Sequence, residues 1–172
     1  MRARVLTLLF LLSGCASAPR YTLPVRPGDR GVTRELEKRQ QAMLHGDRSR
    51  LIRVAQSYVG VPYQWGGNTR TGIDCSALTR AIYREAYGLE LSGNSQQLYQ
   101  LGSSIYSQRQ LHPGDLVFFR ISSQGQGVSH VGVYLGKNRF AHASPSMGQV
   151  VIAPLSAPYF QARYAGARRV LR

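Results

Sequence analysis

Ser129-His130-Val131-Gly132-Val133-Tyr134-Leu135-Gly136-Lys137-Asn138-Arg139-Phe140-Ala141-His142-Ala143-Ser144 is the stretch that decides the fold. Gly136-Lys137-Asn138 is a turn sequence between two runs of period two. Residues 130–135 and 139–144 are therefore predicted to form an antiparallel hairpin. Pairing Leu135 with Arg139 puts His130 opposite Ser144 and His142 opposite Gly132. His130 and His142 then lie diagonally on one face, within reach of each other. The same period marks further short strands at 115–119, at 149–153 and at about 165–171.

Before the hairpin the period is helical. Leu51, Ile52, Val54, Ala55, Tyr58 and Val59 recur at helical spacing, with Gly60 as a stop and Pro62 beyond it. Residues 63–72 read as a Gly- and Asn-containing loop. A second helix opens at Ile73 or Asp74, carries the stripe Ala77, Leu78, Ala81, Ile82 and Ala86, and ends at Gly88. Asn94 or Ser95 caps a short third helix through about Leu101. Helices first and antiparallel strands second predict an α+β domain, with the helices packed on a sheet of five or six strands. A chain of 172 residues that is 43% hydrophobic suits one such domain.

The chain begins with a cationic start, Met1-Arg2-Ala3-Arg4, and an apolar run from Val5 to Leu12. That run has the length of a signal-peptide core and is far short of a membrane span. Leu12-Ser13-Gly14-Cys15 follows and looks like a bacterial lipobox. The pattern implies a leader over residues 1–14, acyl chains on Cys15, and a Pro-containing tether over residues 15–49. Ala16 after the Cys points to the outer membrane, with the protein lipid-anchored and facing the periplasm. A plain secretory signal cleaved near Ala16-Ser17-Ala18 is the alternative. The net charge of +14 suggests an acidic partner or surface. No run of like charges marks a nucleic-acid tail, and export argues against nucleic acid.

Export leaves Cys75 as a thiol without an internal disulfide partner. It falls in the first turn of the second helix, where unpaired N–H groups and the helix dipole favour thiolate. A buried Cys acting as a small hydrophobe is the bland reading. His130, at a strand end, can serve as a base toward Cys75, and His142 can orient it. Each is otherwise an ordinary strand His. Three zinc ligands would need a close ligand pair, and none is present, so no metal or other cofactor is expected.

Five blocks occur in order: Pro62-Tyr63-Gln64-Trp65-Gly66-Gly67, then Gly72-Ile73-Asp74-Cys75-Ser76-Ala77-Leu78, then Leu111-His112-Pro113-Gly114-Asp115-Leu116-Val117-Phe118-Phe119, then His130 to Tyr134, then Phe140 to Ser144. Together they resemble the NlpC-type family of bacterial cell-wall cysteine peptidases. The likeness runs over about residues 50–171. It implies a papain-like α+β fold over residues 50–172. It also implies a peptidoglycan hydrolase with Cys75 as nucleophile, His130 as base and His142 as the orienting third residue. Tyr63 is an oxyanion candidate, against a packing role. Asp74 and Ser76 are substrate-binding candidates, against simple helix capping.

The expected reaction is thiol endopeptidase cleavage of stem-peptide or cross-link amides, leaning to D,D-bonds of cross-links. A cut between D-glutamate and diaminopimelate within one stem is the alternative, as is a related-fold amidase or acyltransferase. A non-catalytic wall-binding lipoprotein fits the intact Cys/His/His set less well. The partners expected are peptidoglycan and, through Cys15, a membrane; no motif names a regulatory protein.

Overall fold

Six antiparallel strands form the centre of the protein in a computed structural model, which describes residues 48–121 and 127–171. The chain separates into two units, Met1–Glu37 and Lys38–Arg172, and the described residues all belong to the second. The expectations for the leader, Cys15 and most of the tether lie outside the described residues. Helix α1 is helical over residues 48–57. A small hairpin of β1 (Asn68–Thr69) and β2 (Gly72–Ile73) follows; it occupies the end of the segment read as loop and takes in Ile73, which pairs with Asn68 instead of opening the next helix.

Helix α2 (Cys75–Tyr87) starts and stops for local reasons. Asp74, in extended conformation, accepts from the Ala77 N–H at 2.7 Å and caps the first turn. Gly88, at φ 66°, closes the other end through bonds to the carbonyls of Arg84 and Tyr83. Helix α3 (Ser95–Leu98) opens on a capping box between Asn94 and Gln97. It ends three residues before the predicted Leu101, where the chain turns into β3 (Ser103–Ile105).

Strands β4 (Leu116–Phe119), β5 (His130–Gly136), β6 (Arg139–Ser144), β7 (Gln149–Pro154) and β8 (Tyr164–Arg169) complete the sheet, in the order β3-β8-β4-β5-β6-β7. Two short helical pieces complete the described elements. A 3-10 turn spans Gln108–Gln110, and α4 spans Pro158–Gln161.

The β5–β6 register agrees with the expected one where it matters. Val133 pairs with Ala141 and Tyr134 with Phe140. At the turn it differs: Gly136, not Leu135, pairs with Arg139. Lys137 and Asn138 both have positive φ and make a tight two-residue turn. One extra residue on β5, Leu135, then restores the pairing as a bulge.

Both faces of the sheet are covered. Leu116, Phe118, Val131, Val133, Ala141 and Val150 face the helices, against Leu51, Ala77, Leu78 and Ile82. Val117, Phe119, Tyr134, Phe140 and Leu155 form a second cluster on the other face, with Phe160 of α4 packed against it. The uninterrupted Leu116-Val117-Phe118-Phe119 run, buried throughout, is the sequence mark of a strand with no wet face.

Candidate active site

The first turn of α2 and the start of β5 meet, and this junction places Cys75. The Val131 N–H is directed at the Cys75 thiol, as are the N–H groups of Ser76 and of Cys75 itself. The thiol thus lies against the strand one residue from His130. Thr79 Oγ1 donates to the Cys75 carbonyl at 2.9 Å and secures the turn from below.

The segment before the helix is laced to the loop carrying Tyr63. The Ile73 N–H donates to the Pro62 carbonyl at 3.0 Å, Gln64 N–H to the Ile73 carbonyl at 3.1 Å, and Asp74 N–H to the Gly67 carbonyl at 3.0 Å. A Cβ at Gly67 would lie 2.5 Å from the Gly72 carbonyl oxygen, so this close lacing requires glycine there. Tyr63 N–H is also held by the Gly148 carbonyl at 2.8 Å, from the turn after β6.

His130 and His142 are 2% and 3% exposed. His130 Nε2 and His142 Nδ1 are 2.9 Å apart, a hydrogen bond between perpendicular rings. The diagonal placement read from the hairpin is therefore what the sheet builds. That bond leaves His130 Nδ1 as the ring's second nitrogen. On its far side, His142 stacks on Phe140 and meets Phe160 edge-to-face.

Cys75, His130, His142, Tyr63, Asp74 and Ser76 all line one cleft of about 1050 Å³. The structure thus brings every site residue named from the sequence, apart from Cys15, to one place. Asp74 and Ser76 are largely spent on each other. Ser76 Oγ donates to Asp74 Oδ1 at 2.8 Å, the oxygen that also caps the helix. The sequence reading missed Trp65 and Met147, both exposed at the cleft, and Phe160. Trp65 sits in a quoted block and was findable. Phe160 lies in a four-residue helix too short to show a period.

Electrostatics differ from the expectation of a thiolate. Cys75 opens on the cleft, but burial is the largest influence on it and pushes its thiol up to about 11. The N–H of Val131 and those of the helix start oppose this and lose, while nearby Asp74 adds to it. Burial, then the neighbouring His142, holds His130 down at about 3; burial holds His142 at about 4. Burial thus favours the neutral thiol and both neutral imidazoles. Burial, then proximity to Cys75 and Asp74, raises the Tyr63 phenol, which remains a hydrogen-bond donor. Such a set can move a proton from sulfur to imidazole and present a nucleophile in a largely apolar cleft.

Residues 60–169 match the model of the NlpC/P60 family. The chain is 38% identical over 169 residues to an Escherichia coli (strain K12) protein called murein DD-endopeptidase MepS/murein LD-carboxypeptidase. That match takes in 94% of this chain and 87% of the relative. A gamma-D-glutamyl-L-lysine dipeptidyl-peptidase of Bacillus cereus is 36% identical, over 70% of this chain and 36% of its own length. The crystal structure of an NlpC/P60 family protein from Bacillus cereus superposes with a TM-score of 0.65 at 33% identity. It covers 73% of this chain, which spans only 40% of that longer protein.

Proposed function

The chain belongs to the NlpC/P60 family, and we propose that it is a peptidoglycan hydrolase, a cysteine endopeptidase that cuts peptide amides of the cell wall. The carrying observation is the convergence on one cleft of a thiol at a helix start and a hydrogen-bonded His130–His142 pair. His130 Nδ1 takes the proton of Cys75, and the sulfur attacks the scissile carbonyl carbon. The carbonyl oxygen gathers negative charge, for which the Cys75 N–H and the Tyr63 hydroxyl are the donors; one such donor is typically worth ~3 kcal/mol. His130 returns the proton to the leaving amine as the C–N bond breaks. Water, deprotonated by His130, then attacks the thioester carbonyl; the C–S bond breaks, the acid product leaves, and the His130 proton returns to the Cys75 sulfur. His142 keeps the His130 ring aimed through its Nδ1.

The bond cut is a D,D-amide of a cross-link in this reading. Its support is the relative named as a DD-endopeptidase, which matches nearly end to end, whereas the gamma-D-glutamyl peptidase matches over a third of its own length. The site is further read as tethered: residues 1–14 as leader, Cys15 acylated, and the protein at the inner face of the outer membrane. A tether over residues 15–49 reaches up to ~110 Å at ~3.3 Å per residue.

The test is digestion of purified sacculi by wild type and Cys75→Ala, with released muropeptides identified by mass spectrometry. Cys75-dependent loss of cross-linked dimers is expected. Shortened stems would move the cut within one stem, and no Cys75-dependent product would overturn the hydrolase reading.

A further inference from the structure

His142 Nε2 is sealed from solvent and has no hydrogen-bond partner among the described residues. A neutral imidazole has one N–H, so this orphan atom bears on the whole site. If the proton is on Nε2, His142 Nδ1 accepts from His130 Nε2–H, and His130 Nδ1 is a free base. If the proton is on Nδ1, His142 donates to His130 Nε2. His130 then carries its proton on Nδ1 and cannot take one from Cys75. The 2.9 Å bond itself is compatible with both arrangements.

Two aromatic rings pack against the His142 imidazole that carries this atom, and one of them can break the tie. His142 is stacked on Phe140, with centroids 4.9 Å apart and planes at 22°. Phe160 stands perpendicular to it, at 5.2 Å and 83°. Phe160 is also perpendicular to Phe140 at 4.8 Å, so the three rings form one corner. An aromatic face carries negative charge density; it attracts an N–H and repels a nitrogen lone pair.

We propose that Phe160 is a positioning residue: its ring receives the Nε2–H of neutral His142 and so selects the tautomer in which His130 is a competent base. This rests on the catalytic reading above and adds to it a residue of the cleft lining that acts through His142. The aromatic identity of position 160 matters, not only its bulk.

The experiment compares wild type, Phe160→Leu and Phe160→Tyr. Two-bond ¹H–¹⁵N spectra of the imidazoles report which nitrogen of His142 is protonated. The kcat and KM on cross-linked muropeptide dimers report the consequence. Wild type and Phe160→Tyr are expected to show protonated Nε2. Phe160→Leu is expected to shift the proton toward Nδ1 and to lose up to about fivefold in kcat at unchanged KM, as suits a weak N–H···π contact. A wild-type His142 protonated on Nδ1, or an unmoved tautomer in Phe160→Leu, would overturn the proposal. So would equal losses in Leu and Tyr, which mark packing alone. The spectra decide this even if wild type proves inactive on the dimers, an outcome that would count against the catalytic reading instead.

Discussion

Cys75 is the residue where two local effects compete. Its place at the start of α2 was legible from Asp74 and the stripe that follows. The sign of its electrostatics was not, because a helix start says nothing about how deeply the strand beside it buries the thiol. Burial prevails and disfavours a standing thiolate; in the proposed reaction thiolate forms as His130 accepts the proton. Alkylation of the resting protein by iodoacetamide should therefore be slow at pH 7. It should climb about tenfold per pH unit toward the thiol's value of about 11. A rate already at its plateau at pH 7 would mean a standing thiolate–imidazolium pair. His142 was legible through hairpin arithmetic, since residues two apart share a face. Its aromatic surroundings were not, because Phe160 reaches it from a distant part of the chain.

At the scale of elements, strands and long helices declared themselves by period and caps, and short pieces did not. The three-residue β3 and four-residue α4 are shorter than any period needs to be recognised. The hairpin was read one residue off at its turn because a two-residue turn plus a bulge mimics a three-residue turn. Past the bulge both readings coincide, so the histidines stay aligned. That alignment depends on Gly132 in β5. A Cβ there would lie 2.6 Å from Phe140 Cδ2 and 2.7 Å from the Ala141 carbonyl oxygen. Gly132→Ala should therefore push β5 and β6 apart and cost about 1–3 kcal/mol in urea unfolding. It should also lower kcat more than it raises KM. A variant of wild-type stability would show the strands already have slack there.

The whole molecule carries the cost of keeping two histidines neutral inside it. In the unfolded chain they protonate near 6.5, while folded they do so only near 3 and 4. Below pH 6.5 the unfolded state binds more protons, so stability is full above that value and falls as pH drops through 4 toward 3. The urea midpoint should be lower at pH 5 than at pH 7.5, and the fall should shrink in His142→Gln. An unchanged midpoint would mean that the histidines are wetter than the sheet and aromatic corner make them. The family was legible from five ordered blocks, since each encodes a local constraint: a laced glycine, a cap, a buried strand, a paired His. The excess of Arg was legible only as charge, because nothing in its scatter along the chain says which residues meet a ligand.

In the proposed reaction Cys75 becomes covalently acylated by a wall peptide. This acylation is tested most directly by rapid-quench mass spectrometry of the enzyme during turnover of a cross-linked muropeptide dimer. An adduct with the mass of the acyl half of the substrate is expected, located on the tryptic peptide of residues 71–80. It should be absent in Cys75→Ala, which should turn over no substrate. Hydrolysis that persists in Cys75→Ala with no adduct on that peptide would contradict it.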